Sequence, residues 1–227
     1  MREQREGTKS VAKKEVNELK KGLILEGGAM RGMFTAGVID VMMENGNIFN
    51  TDFAYGEVPL KYDVFDFDTY QSNPMDFYVV CTDIETGEAV YHNYGGKDDH
   101  GFDWIRASAS MPMVSQIVEI DGHKLLDGGV ADSIPIKYFE TLGYDKNVVV
   151  LTQPEYYQKK KNRLMPLIRL KYWKFPKLVE AMENRHLVYN QTLAYIKQQE
   201  KQGKLFVIRP QEKLQIKKVK KNPNKLK

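Results

Sequence analysis

Cysteine is nearly absent from this chain: one residue, Cys81, in 227. That excludes a disulfide framework and a cysteine-built zinc site, and it suits a reducing compartment. Long apolar runs are absent too, and none approaches the ~20 residues of a membrane-spanning helix. The opening MREQREGTKSVAKKEVNELKK is basic but has no apolar stretch behind it. No secretory leader is therefore expected, and cytoplasmic residence, soluble or membrane-peripheral, is the expectation. Histidine is scarce, with four residues, His92, His100, His123 and His186.

What is there suits a packed globule, with 42% hydrophobic and 28% charged residues. A chain of this length buries a sizeable core unaided and is one domain by size. The net charge of +4 conceals an asymmetry. Residues 1–150 hold 14 Lys+Arg against 25 Asp+Glu, and residues 151–227 hold 20 against 5, a balance of −11 and then +15. A basic C-terminal third faces nucleic acid, anionic lipid or its own acidic partner half.

The pattern reads as strands alternating with helices. GLILE at 22–26 is a short apolar run that stops at two glycines, the mark of a buried strand and a tight turn. A helical period follows through Met33, Ala36, Val38 and Val41, and stops at Asn45 and Gly46. Residues 47–76 are aromatic and acidic with no clear period. FYVVCT at 77–82 is the next strand, with 88–91 as its partner across a Thr86, Gly87 turn. A helix is expected over 102–110, and a hairpin about Asp121 and Gly122. A short helix over 138–142, a strand over 148–151, a long helix over 175–202 closed by Gly203 and a last strand over 205–208 complete the series. This is an α/β layered domain. The expected division is an arm over 1–21, a domain over 22–210 and a basic tail over 211–227. Asp63, Asp66 and Asp68 lack the glycine and glutamate of a calcium loop, so they read as a solvent-facing loop, and no metal or cofactor is expected.

Two motifs are candidates for chemistry, and each has a bland alternative on its own: a close-packed strand–helix junction for the first and an ordinary Asp-Gly turn for the second. In LILEGGAMRG, a glycine-rich turn enters a helix and presents amide N–H groups and the positive end of the helix dipole to an anion. It is no phosphate-binding P-loop, because Met33 and Phe34 stand where Lys and Ser/Thr belong. Nor does its glycine order fit the dinucleotide fingerprint. In LLDGGVADSIPI, Asp127 ends an apolar stretch before two glycines that let the backbone approach a neighbour closely. A carboxylate held there can act as a general base.

Taken in order, KGLILEGGAMRGMFTAGVID, RASASMP and DGGVADSIP resemble the patatin-like phospholipase family, and the segments LTQPEYYQKKKNRLMPL and VEAMENRHLVYNQTL are similar to its bacterial branch. The resemblance implies a three-layer α/β domain with a largely parallel sheet between helices. It also implies a lipid acyl hydrolase with a Ser–Asp dyad, acting on a lipid or acyl-ester substrate. Asp127 of the Asp127, Gly128, Gly129 motif matches the dyad's base. Gly27, Gly28, Ala29, Met30, Arg31 and Gly32 match the oxyanion loop, with Ala29 in place of the usual third glycine. Arg31 is read as a salt-bridge partner that fixes the loop, or as a contact to lipid phosphate. Ser108 and Ser110 read as structural.

The family's nucleophile sits in a Gly-x-Ser-x-Gly elbow, and no such motif occurs in this sequence. Ser72 falls in the right interval without the flanking glycines. The apparent join lies near Phe49, Asn50, Thr51 and Asp52. Three accounts stay open: residues left out of the sequence as written, a genuine deletion, or a pseudoenzyme that binds lipid or an anion without catalysis. The first is favoured, because losing a central strand costs more than a marginally stable domain can spare. It predicts Cα atoms of Asn50 and Thr51 much farther apart than the ~3.8 Å of a trans peptide.

Residues 155–177 interleave eight Lys/Arg with Tyr156, Tyr157, Tyr172, Trp173 and Phe175. The favoured reading is a solvated basic face with its aromatics packed inward. The functional reading is peripheral contact with an anionic membrane, and nucleic acid is the weaker rival.

Overall fold

A computed structural model of the chain describes residues 20–26 and 53–212. The glycine-rich turn at 27–32, the helix expected after it and the Asn50, Thr51 join lie outside the described residues.

The α/β class holds, with a parallel sheet, helices and a second sheet beside them. The parallel sheet runs β1 (Lys20–Leu25), β6 (Tyr144–Val150), β7 (Leu205–Ile208), with β6 in the middle. Leu23 pairs with Val148 and Val148 with Phe206. Strands β6 and β7 are parallel, so a crossover must join them. It is made by α4 (Met165–Lys171) and α5 (Pro176–Lys201). Prolines stand in the first turn of both helices, where their missing N–H groups are harmless. Gly203, at φ 70°, turns the chain out of α5 into β7.

The second sheet is antiparallel, in the order β3 (Ala89–Asn93), β2 (Tyr78–Asp83), β5 (His123–Asp127), β4 (Val118–Ile120). Its two hairpins, β2–β3 and β4–β5, close through short turns, which only antiparallel pairs permit, and residues 94–117 join one hairpin to the other. Asp121 at φ 51° and Gly122 at φ 81° form the two-residue hairpin turn read from the sequence. Successive residues of β5 face opposite ways. Leu125 enters a cluster with Val79, Cys81, Trp104 and Val118, under α2 (Asp103–Ala109). Leu126 enters another with Val130, Met165, Ile168, Tyr172 and Met182. A third cluster packs Ile24, Val149 and Leu205 of the parallel sheet against Ile134, Ile136, Tyr189 and Ile196. Ile136 begins α3 (Ile136–Thr141).

Residues read as aperiodic hold two helices. Phe53–Tyr62 is a widened π-type helix that closes with an Asp63 N–H bond to the Val58 carbonyl at 2.9 Å. Phe67–Ser72, α1, begins at Asp66, whose carboxylate accepts from the Thr69 amide at 2.9 Å and the Thr69 hydroxyl at 2.7 Å. One carboxylate of the acidic run is thus a helix cap, and those bonds hold it below its ordinary pKa. Among the described residues no helix is long and apolar enough to cross a membrane.

Candidate functional site

The site is built from the ends of two strands and one face of α5. Asp127 ends β5, paired in register with Cys81 of β2. Its N–H donates to the Ser110 carbonyl at 2.8 Å, and its own carbonyl accepts from the Thr82 hydroxyl at 2.9 Å. Its carboxylate turns back on the chain, and Oδ1 accepts from the Gly129 N–H at 2.8 Å. The backbone then tightens into one 3₁₀ turn, Gly128–Val130.

Both glycines of the motif have a physical reason. A Cβ at Gly128 would lie under 3.0 Å from the backbone carbonyl of Val80, so only glycine lets this turn sit against β2. A Cβ at Gly129 would lie 3.0 Å from Nη2 of Arg185, 3.1 Å from Oδ1 of Asp127 and 3.5 Å from Oγ of Ser133. A carboxylate, a guanidinium and a hydroxyl therefore converge where a side chain at Gly129 would stand. Nε of Arg185 is buried and has no hydrogen-bond partner among the described residues. The Ser133 hydroxyl donates to the Gly129 carbonyl at 2.8 Å. Beside the turn a cavity of about 370 Å³ opens between Tyr91, Val130, Asp132, Lys137 and Val188.

Burial pushes the Cys81 thiol up to about 12, and the negative charge of Asp127 adds to the shift. The lone cysteine is therefore a protonated core residue against the site.

The second strand end is that of β1. The Glu26 N–H continues the ladder by donating to Val150 at 3.0 Å. Its buried carboxylate accepts from the Thr152 N–H at 2.6 Å and from the Tyr189 hydroxyl of α5 at 2.6 Å. The residue before the glycine-rich turn is thereby clamped to β6's exit and to α5. Sequence reading assigned no role to Glu26, Arg185 or Tyr189. Their partners lie far along the chain, and no local pattern marks them.

The structure brings Asp127, Gly128 and Gly129 together with Arg185 and Ser133. The sequence-assigned oxyanion residues Gly27, Gly28, Ala29, Met30, Arg31 and Gly32 lie outside the described residues. The histidines are engaged elsewhere: His92 with Asp99, His100 with Asp121, His123 with Asp83 and His186 with the Glu183 carbonyl. Ser110 is buried and its hydroxyl donates to Arg106, while the Ser72 hydroxyl donates to Thr69 at the end of α1.

Residues 70–140 match the family model described as Patatin-like phospholipase. Residues 175–227 match one described as Domain of unknown function (DUF6363). Similar curated proteins are an "Uncharacterized NTE family protein" of Mycobacterium bovis and two of Mycobacterium tuberculosis. Each is 32% identical over 77 residues, which is 34% of this chain and 20% of the relative. The match thus spans about a fifth of those relatives' length.

Proposed function

We propose, from the chain's membership of the patatin-like family, a lipid hydrolase family, that it carries the base half of an acyl-ester hydrolase site. In this reading Asp127 takes the proton of an attacking serine hydroxyl. The oxygen–acyl carbon bond forms as the ester alcohol leaves with that proton, and water then releases the acid. Amides of the 27–32 turn hold the oxyanion. The observation that carries the reading is the Asp127 carboxylate, set at a strand end beside Gly129, Arg185 and Ser133 and within the matched residues 70–140. Because the sequence holds no Gly-x-Ser-x-Gly, the 227-residue chain forms no acyl-enzyme as it stands. Its surroundings in this proposal are cytoplasmic, with peripheral contact to an anionic membrane.

The missing elbow favours a second reading, a non-catalytic protein that binds lipid or an anion at the same place, with Arg185 Nε, which has no hydrogen-bond partner among the described residues, as a donor. A fluorophosphonate probe separates the two. The chain alone is expected to stay unlabelled. A folded graft carrying a patatin-like elbow between Asn50 and Thr51 is expected to label, and to lose labelling with Asp127→Asn. Equal labelling with and without Asp127 removes it as the base. A folded, unlabelled graft that still binds a lysophospholipid in calorimetry selects the second reading.

A further inference from the structure

The segment before α5 has an unusual surface. Between 156 and 179 there are eight Lys/Arg and no Asp or Glu. Its helix α4 is apolar on two faces. Met165, Ile168 and Tyr172 are buried, at 4%, 1% and 3% exposure, in the cluster that also holds Leu126 and Val130. Leu164, Leu167, Leu170 and Trp173, spread over the outward half of this helix and its two ends, stand 54%, 54%, 74% and 70% exposed. A solvated helix face carries polar residues at such positions. The aromatics do not all pack inward as expected: Tyr172 does, but Trp173 and Tyr156 point outward.

The basic residues divide in the same way. Lys161 and Arg169 both pair with Glu183 at 2.7 Å, and Lys177 pairs with Glu180. Lys160, Arg163 and Lys174 meet no carboxylate among the described residues. Three cations thus flank an exposed leucine and tryptophan ridge. That is the chemistry of an element lying in the interface of an anionic bilayer: apolar side chains enter the acyl boundary, a tryptophan sits at headgroup level and lysines meet phosphate.

We propose that α4 and its flanks, with Leu164, Leu167, Leu170 and Trp173 as the inserted ridge, dock this protein on an anionic lipid surface. The proposal rests on the functional reading for the choice of an anionic lipid surface as partner and adds the element that meets it. It connects to the site through packing. The buried side of α4 shares its cluster with Leu126 and Val130, which bracket the Asp127–Gly129 turn. The Tyr172 hydroxyl accepts from the Met113 N–H at 3.0 Å, and Lys171 Nζ donates to the Met113 carbonyl at 3.2 Å. Met113 follows the Ser110 segment that holds the Asp127 amide. A docked α4 therefore turns the apolar cluster that backs the candidate site toward the bilayer.

The test uses the full chain with vesicles of phosphatidylcholine alone and of phosphatidylcholine with phosphatidylserine. Of the two tryptophans, Trp104 is buried at 3% exposure, so a blue shift on binding reports Trp173, and brominated acyl chains quench it. Expected are selective sedimentation with the anionic vesicles, the shift and the quenching. Leu170→Glu with Trp173→Phe is expected to weaken binding at least tenfold without changing the thermal midpoint, since both side chains are exposed. Lys160→Gln and Arg163→Gln are each expected to weaken it about fivefold. No binding to either vesicle overturns the proposal. So does vesicle binding that leaves Trp173 unshifted and survives Leu170→Glu. Tighter binding to single-stranded nucleic acid than to anionic vesicles, or a dimer that Trp173→Ala dissolves with no vesicle binding, overturns it as well. Vesicle binding by a chain whose elbow graft stays unlabelled keeps this proposal and removes only the hydrolase reading.

Discussion

Gly128→Ala is the sharpest probe of why the Asp-Gly-Gly turn is built as it is. The added methyl would sit under 3.0 Å from the Val80 carbonyl oxygen and carbon and 3.0 Å from the Cys81 nitrogen. These are backbone atoms of β2, the strand that pairs on both sides, so no rotamer change relieves the clash. Overpacking of a core costs about 1–3 kcal/mol. Here the displaced segment also carries the Thr82 hydroxyl bonds to the Asp127 carbonyl at 2.9 Å and the Ala131 amide at 3.2 Å, each with a net contribution of about 1 kcal/mol. The expected loss is about 3–5 kcal/mol, a large share of a typical domain's stability. Two neighbours calibrate it. Gly129→Ala meets side-chain ends at 3.0 and 3.1 Å, which can swing aside, and about 1 kcal/mol is expected. Gly122→Ala meets open space but keeps φ 81°, a strain of about 1–2 kcal/mol. Urea denaturation followed by the fluorescence of the tryptophans gives all three values. If Gly128→Ala falls within about 1 kcal/mol of Gly122→Ala, the close approach to β2 is not what fixes this glycine.

Cys81, with its thiol pushed up to about 12 by burial and by Asp127, is expected to resist a disulfide reagent at pH 8 in the native protein. It should react only at the rate of unfolding, which a denaturant series reads. Tyr189→Phe leaves the buried Glu26 carboxylate with one donor fewer and is expected to lower stability by about 2 kcal/mol, since bonds to charged groups contribute about 1.5–3 kcal/mol. A double-mutant cycle with Glu26→Gln should return a coupling. Burial pushes the Asp83 carboxyl up, but the His123 ring and the Glu85 and Thr86 amides outweigh it and hold the group below its ordinary value. A depressed folded pKa stabilises above the unfolded value of about 4 and loses that contribution as pH falls through the folded one. Asp83→Asn should therefore cost about 1.5–3 kcal/mol at pH 7 and flatten the acid limb below pH 4 in pH-dependent melts.

Local chemistry was legible in the sequence and distant partners were not. The Asp121, Gly122 turn, the long helix stopped by Gly203 and the strand at 205–208 all follow from signals a few residues wide, and the structure carries them as β4–β5, α5 and β7. The α/β class followed from their alternation. Asp66 gave a signal that passed for solvent exposure: a carboxylate three residues before Thr69 is a helix cap. In the site, Asp127 and its glycines were legible because the motif is contiguous. Glu26 was not, because the groups that use its carboxylate, Thr152 and Tyr189, are 126 and 163 positions away. Arg185 reads in sequence as one more base in a basic helix. Only the packing of α5 over Gly129 separates it from its solvated neighbours.

That packing bears on how the two matched segments relate. Residues 70–140 bring Asp127, Gly129 and Ser133, while residues 175–227 bring Arg185 and Tyr189. Helix α5 supplies Leu178 and Met182 to the cluster under the antiparallel sheet and Tyr189 and Ile196 to the cluster under the parallel one. The same helix reaches Glu26 at the end of β1 and Gly129 at the end of β5. A substitution in α5 should therefore register at both strand ends. Leu178 is fully buried, and a leucine-to-alanine change in a core costs about 2–5 kcal/mol. In Leu178→Ala, amide exchange should speed together at Thr152, whose N–H bonds Glu26, and at Gly129, whose N–H bonds Asp127. Acceleration at Gly129 alone would mean that the two ends are held separately, and that α5 does not couple Glu26 to the Asp127 carboxylate.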